Sequence, residues 1–553
     1  MSLCPPEFFH SSRSQEFYLR DKDRITHSIA TPDNQLQHFT HVVVIGNGPS
    51  GLSVSALLSG WRPFYNLAQP HPNQRIHEKL AENPGVSLIH QDLSWLQEQL
   101  GGDEGGTSRG FPSLFDTLVR PNSNGLAHPS SVRWEKDKRS RGIAHVVLGM
   151  GKAGGAWQEF RRPQLPALSP MSWLDLPGVS LRSYLRSIGS EWARADSEEA
   201  EEGEVERRRV PCGLVADYYA AYPRLAGVER HQLAYSYVSS VWRGPEAEYG
   251  WHVVGTHPLL GRFHLRARRL CLCAGASIPR KLGVPGEEEE EEVVHSQEAM
   301  DEVWGVEREL RRPLRLLLVG GGPTAADWLL DWLRLGCGGL HLHHVFRRSG
   351  REVRSRSALG RLSASLHQQY AAAAALMCGR PRHTVLCGES GSRYTPYPAT
   401  RVLAFRRSAA GRGVLVSLQQ TTGKKAEAEE ECLHVDYVFV NVGREGDVGF
   451  LSEELRLQLL RDPSRAPNPK DNPLEVHPLT YEALRVPGLS AVGPLVGDGF
   501  VRYLVGGALA VASDIIRSTA ATRIPTSRPR TISFPSFRKD LMHLQDCDSS
   551  FLL

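Results

Sequence analysis

No two of the nine cysteines stand in a Cys-x-x-Cys spacing. Cys4, Cys212, Cys271, Cys273, Cys337, Cys378, Cys387, Cys432 and Cys547 are scattered and odd in number, which speaks for a reduced intracellular chain and offers no metal cluster. Long apolar runs are missing too: the most apolar helical stretch, residues 503–516, is broken by Ser513 and Asp514 and falls short of the roughly 18 residues that a membrane span needs. Charge of one sign is absent, since 65 basic against 61 acidic residues leave only +4. No basic stripe carries interleaved aromatics, so nucleic acid is not expected as a partner. The opening Met-Ser-Leu-Cys-Pro-Pro-Glu has neither a cationic start before an apolar run nor a myristoylation glycine, and no solenoid period runs through the chain. The expectation is a soluble, cytoplasmic protein without a signal peptide. With 553 residues, 41% apolar and 23% charged, it is long enough for two or three domains and for burying large cofactors.

What is present is a phosphate-cradle signature, twice. Gly46-Asn-Gly48-Pro49-Ser50-Gly51 follows the apolar run His41-Val-Val-Val-Ile45, and Gly320-Gly-Gly322-Pro323-Thr324-Ala325 follows Leu314-Arg-Leu-Leu-Leu-Val319. The first glycine makes the tight turn and the second lets backbone approach a pyrophosphate. A small third residue, Gly51 or Ala325, lets the helix pack on the sheet with its N-terminus facing the negative charge. One dinucleotide per cradle predicts FAD and a nicotinamide nucleotide. The fold class expected is α/β with two Rossmann-like dinucleotide-binding domains, the FAD domain discontinuous and the second domain inserted into it.

Along the chain this predicts an N-terminal arm over 1–39, a first part of the FAD domain with a helical insertion over 40–285, an acidic linker over 286–312, an NADPH domain over 313–445, the second FAD part over 446–520 and a disordered tail over 521–553. Residues 101–109 read as a glycine-rich loop and residues 196–209 as a solvated charge block. The run of six glutamates at 287–292 reads as a repelling, mobile loop marking a domain joint.

A lone GxGxxG match is weak, and Gly149-Met-Gly151-Lys-Ala-Gly154 illustrates this: it fits the pattern, but Pro163 arrives too soon for a cradle helix, so it is set aside as a nucleotide fold of its own. After the second cradle the strand Leu340-His-Leu-His-His-Val-Phe346 ends in Arg347-Arg348, where an adenosine ribose would lie. An acid there selects NAD and arginines pair with a 2′-phosphate, so the reading is NADPH, with a solvated basic loop tip as the alternative. The first cradle lacks its acid. Its second strand is placed near Trp61-Arg-Pro-Phe-Tyr65, followed by Asn66, Leu67 and Gln69, and the first carboxylate comes at Glu78; neutral hydrogen bonds there would hold FAD more weakly by about 1 kcal/mol.

Three further elements fit the two-nucleotide scheme. The stretch Gly493-Pro-Leu-Val-Gly497-Asp498 before a small-residue helix could set Asp498 against ribityl hydroxyls. The apolar strands ending at Gly275 and Gly443 would turn the chain away beneath a bound dinucleotide. Cys271 and Cys273 alternate on one strand as core residues, and no dithiol follows either cradle, which argues against a disulfide reductase.

These features resemble the flavin-containing monooxygenases: the Pro of Gly46-Asn-Gly48-Pro49, the segment Gly154-Gly155-Ala-Trp157 and the end of a longer fingerprint at Val294-His295-Ser296. The runs Val44-Ile-Gly-Asn-Gly-Pro-Ser-Gly51, His145-Val-Val-Leu-Gly149, Gly155-Ala-Trp157 and Ala216-Asp-Tyr-Tyr219 are similar to a narrower group, the oxidative stress-induced growth inhibitor family, over about residues 40–517. That resemblance implies FAD- and NADPH-dependent monooxygenase chemistry through a flavin hydroperoxide, with O2 as co-substrate and a small molecule or protein side chain as substrate. It also implies links to growth control, oxidative stress, apoptosis, the cell cycle and cytokinesis, regulatory protein partners, and the midbody or nucleus as secondary locations. The Phe and Gly of the monooxygenase fingerprint are replaced by the glutamate run. On this reading the cofactors carry the hard chemistry, Trp157 covers the flavin ring and His295 hydrogen-bonds near the domain joint, each with a plain structural role as its alternative. The rival from another class is a nucleotide-sensing regulatory scaffold that keeps the fold without turnover.

Overall fold

The computed structural model describes residues 37–521, except the segments 97–109, 122–128, 139–141, 161–165, 195–204, 311–312, 336–338, 363–366, 388–390, 409–410 and 422–429 and positions 206, 247 and 358. The expected arm up to residue 36, the loop 101–109, most of the charge block 196–209, the tail from 522, and Cys4, Cys337 and Cys547 lie outside the described residues. The chain changes compact unit after Ser277 and again after Glu445.

In the larger unit, β1 (Gln37–Ile45) is buried on both faces. Val42 and Val44 enter one hydrophobic cluster while Val43 and Ile45 enter another, as alternation along a strand covered on both sides requires. It runs parallel to β4 (His145–Leu148) on one side and β8 (Gly261–Leu272) on the other. With β5 (Gln232–Leu233), β6 (Tyr237–Arg243) and β7 (Trp251–His257) the order is β5-β4-β1-β8-β7-β6, and β20 (Leu489–Ala491) also pairs with β8. Helix α1 (Pro49–Leu58), buried throughout, packs with α6 (Val501–Ala521) on the Val42 face. Cys271 and Cys273 are buried side by side in this core, their sulfurs 3.7 Å apart.

The strand expected second, β2 (Trp61–Tyr65), does not join the sheet; it pairs antiparallel with β3 (Val132–Lys136). Pro63 lacks the amide that a central strand needs, and the buried Arg62 instead donates to the Leu57 carbonyl at 2.6 Å, closing the end of α1. The place beside β1 goes to β4, reached only after the excursion over 60–144.

In the smaller unit, β11 (Leu314–Val319) lies parallel between β12 (Leu340–Val345) and β18 (Tyr437–Val440). With β10 (Val293–Val294), β13 (Val385–Cys387) and β14 (Ser392–Tyr397) the order is β10-β18-β11-β12-β14-β13. Helix α4 (Pro323–Leu335) follows β11. The antiparallel strands β15 (Thr400–Arg407), β16 (Val414–Gln420) and β17 (Glu430–Val435) pack Phe405, Val414 and Val416 onto Leu317 and Val319, and β9 (Ile278–Pro279) pairs with β19 (Arg444–Glu445).

The stretch read as an acidic linker belongs to this unit and carries β10 and α3 (Gln297–Leu310). Its glutamates are not all solvated. Glu287 is 3% exposed, and its carboxylate accepts from the amides of Leu282 and Gly283 at 2.7 Å and from His295 Nε2 at 2.9 Å. Burial pushes its pKa up, but these donors outweigh burial and hold it below the ordinary value. Among the described residues no helix is long and apolar enough to cross a membrane, and no three His, Cys, Asp or Glu residues gather for a metal.

Candidate functional site

The first cradle is a turn that tolerates no side chain where the backbone closes on itself. Gly46 has φ +111°, and a Cβ there would stand 2.2 Å from the Cys273 carbonyl oxygen; a Cβ on Gly51 would stand 1.9 Å from that of Gly46. The Cys273 amide donates to Ile45 at 2.7 Å, so the end of β8 clamps the turn. Gly48 is different, with nothing nearer than 3.9 Å to the space where its side chain would be. It lies before the buried Pro49 and Ser50 of α1, in contact with the Gly154–Gly155 backbone, and no acid occupies the helix's first turn.

Other segments of the same unit close on this turn. Gly155 (φ +56°) brings its side within 3.1 Å of the Gly48 Cα, and Gly154 donates to the Asn47 carbonyl at 2.9 Å. Trp157 sits half-buried in the short turn Gly155–Gln158, edge-on to Tyr219 at 5.5 Å. Gly493 faces the Ser50 hydroxyl, and the turn Gly493–Val496 ends at Gly497 (φ +100°). Asp498 follows, 5% exposed, accepting from the Tyr481 hydroxyl at 2.9 Å. Gly275 (φ +69°) leaves β8 with open space beside it.

The wall of this cradle is not where the sequence placed it. Because β4, not β2, lies next to β1, residues 149–151 stand there instead of Asn66 to Gln69. A Cβ on Gly149 would lie 2.0 Å from the Asn47 amide carbon, and Asn47 Nδ2 donates to the Gly151 carbonyl at 2.8 Å. The third glycine motif, set aside as a nucleotide fold of its own, thus walls the first cradle. Asn47 and Gly149 each stood in a glycine motif of the sequence, but nothing there paired them; the apolar run preceding Gly149 was the signal.

The second cradle repeats the clamp. Gly320 (φ +146°) would put a Cβ 2.0 Å from the Asn441 carbonyl oxygen, and the Asn441 amide donates to Val319 at 2.7 Å. Gly322 is open on its side-chain face, Pro323 and Thr324 begin α4, Ala325 is buried, and Gly443 (φ +106°) is unobstructed. Arg347 and Arg348, just past β12, are exposed. His295, expected to hydrogen-bond near the domain joint, pairs with Glu287.

One residue at this turn left only a faint mark in the sequence, as one of three histidines in the strand Leu340–Val345. His344 on β12 is 0% exposed, with Nε2 2.6 Å from the Gly320 carbonyl oxygen and Nδ1 3.1 Å from the Tyr394 hydroxyl. Burial lowers its pKa to about 4 against the opposing pull of the Gly320 bond.

No protein-family model matches the chain. In fold it is similar to the FAD-bound cadaverine monooxygenase of desferrioxamine biosynthesis from Erwinia amylovora, with a TM-score of 0.52 at 13% identity over 90% of this chain and 99% of that one. It is also similar to the bacillithiol disulfide reductase of Staphylococcus aureus, with a TM-score of 0.50 at 11% identity over 88% and 100%. The chain therefore has the α/β fold of flavoproteins with two dinucleotide-binding domains. In sequence it is 30% identical over 495 residues to oxidative stress-induced growth inhibitor 1 of Mus musculus, covering 86% of this chain and 95% of the relative. On that match the chain belongs to the oxidative stress-induced growth inhibitor family.

Proposed function

We propose that the chain binds FAD at the first cradle and NADPH at the second and works as an NADPH-dependent flavin monooxygenase. The observation that carries this reading is the pair of clamped glycine turns, closed at Gly46 and Gly320, with Gly48 in ordinary contact with Gly154 and Gly155 and Gly322 open. Bound FAD and NADPH would supply hydride transfer and O2 activation, with one oxygen atom going to a substrate and the other to water.

The chain's own residues supply binding, orientation and shielding. Backbone amides of the Gly46 turn and the start of α1 face the pyrophosphate of FAD. Asp498, oriented by the Tyr481 hydroxyl, faces the ribityl chain of FAD. Trp157, braced by Tyr219, limits water at the ring. In the other unit, the Gly320 turn receives the nicotinamide nucleotide, and Arg347 and Arg348 pair with its 2′-phosphate. His295, held by Glu287, orders the loop over 282–287 and acts at a distance from the cradle turn.

The test is the flavin absorbance of the freshly purified full-length chain, followed by NADPH-dependent O2 consumption. Bound flavin with NADPH oxidation supports the enzyme. Bound flavin without oxidation supports the second reading, a regulatory scaffold with weak turnover, which the neutral Asn47–Gly149 wall favours. On either reading the relatives' growth-inhibitor names suggest cytoplasmic regulatory protein partners, with the midbody and nucleus as further locations to examine.

A further inference from the structure

His344 is costly to bury and solves a problem that only the second cradle has. A polar ring in the core of a parallel sheet is tolerated when both nitrogens are hydrogen-bonded. Here Nε2 faces a carbonyl and must carry the proton, which leaves Nδ1 to accept from the Tyr394 hydroxyl. Tyr394 is itself fully buried on β14, the strand next to β12. The pair therefore fixes one neutral tautomer in one orientation.

The bonded carbonyl belongs to the peptide unit joining Gly320 to Gly321. That unit is planar and trans, so holding its oxygen toward β12 turns the Gly321 N–H the opposite way. The first cradle fixes the equivalent carbonyl by other means. There Gly51 packs so closely that even a Cβ would overlap the Gly46 oxygen, and the position in register with His344 is the apolar Val147. With Ala325 as third residue that close approach is closed to the second cradle, and a hydrogen bond takes its place.

We propose that His344 is a positioning residue which, through the Gly320 carbonyl, aims the Gly321 amide at the pyrophosphate of a bound dinucleotide, with Tyr394 selecting the tautomer that can do so. This rests on the reading that the second cradle binds NADP(H). The test measures binding of NADP+ and of adenosine 2′-monophosphate, which has the 2′-phosphate but no pyrophosphate, to the full-length chain and its variants. His344→Leu is expected to weaken NADP+ about tenfold, the scale of one charge-assisted hydrogen bond, and to leave adenosine 2′-monophosphate unchanged. His344→Gln, which can donate to Gly320 and accept from Tyr394, restores NADP+ binding to within about twofold, and Tyr394→Phe weakens it about threefold. Unchanged NADP+ affinity in His344→Leu, or equal loss of both ligands, overturns the assignment. Should His344→Leu fail to fold, Tyr394→Phe decides by the same two ligands. A wild-type chain that binds neither ligand overturns the nucleotide reading beneath it, a result distinct from every variant effect.

Discussion

The two cradles make the same contact with the side chain on opposite partners. In the first, the turn carries the side chain and the facing strand end gives way: Asn47 lies over Gly149. In the second, the turn gives way and the strand end carries it: Phe346 stands 3.3 Å from the side-chain position of Gly321. The gap needs filling from one side only. The choice has consequences, because a strand end reduced to glycine cannot present a ribose-recognising group, whereas the Phe346 side goes on to Arg347 and Arg348. The third residue follows the same division, with Gly51 pressed on a carbonyl in one cradle and Ala325 held off, with His344 on that carbonyl, in the other.

The largest test of this division exchanges the third residues. Gly51→Ala drives a Cβ into backbone at 1.9 Å, where no rotamer change relieves it, and is expected to cost about 3 kcal/mol or more and to leave purified protein without flavin. Ala325→Gly is expected to cost only about 1 kcal/mol of helix propensity and to keep NADP+ binding. Thermal unfolding and flavin absorbance read both, and a Gly51→Ala chain as stable as wild type would remove the distinction.

Next in size is the charge at the strand ends. The double variant Arg347→Ala with Arg348→Ala removes two charge-assisted bonds of about 1.5 kcal/mol each, so the preference for NADPH over NADH in flavin reduction should fall about a hundredfold. An unchanged preference would return these arginines to the status of a solvated loop tip.

How much of this was legible beforehand follows from the range of each interaction. Glycine turns after apolar runs are local, so both cradles, Gly275, Gly443 and Gly497 could be read from neighbouring residues. The wall of the first cradle could not, because the excursion over 60–144 hides that β4 is the strand beside β1, and β2 offered a nearer apolar run. The Asn47–Gly149 contact joins residues far apart in sequence. Glu287 reads like its five neighbours, yet it alone reaches the amides of Leu282 and Gly283. His344 is equally silent, because alternation marks its strand without saying which ring nitrogen meets Gly320.

Acid should act on the second cradle through His344, by about 3 kcal/mol. Unfolded histidine takes a proton near pH 6.5, while His344 does so near 4 and its neighbour His343 near 3, both lowered chiefly by burial. Between these values the unfolded chain binds more protons, so the stability present above about pH 6.5 is lost as pH falls toward 4. Val147, the matching residue of the first cradle, has nothing to titrate, but His145 two residues before it on β4, His231 stacked on His145, and His41 are lowered by burial too, so the comparison of variant with wild type is what isolates His344. Urea midpoints from pH 7 to pH 4 should decline less steeply in His344→Gln than in wild type, and identical slopes would place the acid sensitivity elsewhere.

The smallest expected effect repairs what the first cradle lacks. An acid cannot be placed at Gly149, where Asn47 already fills the side-chain space, and Asn47→Asp would set a carboxylate against the Gly151 carbonyl in place of a donor. The first residue past β4 with room for a side chain is Met150, 59% exposed and, like Arg347 in the second cradle, the second residue past its strand. Met150→Glu should therefore supply the charge-assisted ribose bond and tighten FAD by about 1 kcal/mol, roughly fivefold, read as flavin retained after dialysis. Since the side chain points into solvent, folding stability should not change, so a gain in retention reports on the ribose alone. No gain would mean that the adenosine end of the flavin lies away from the wall that Asn47 and Gly149 build.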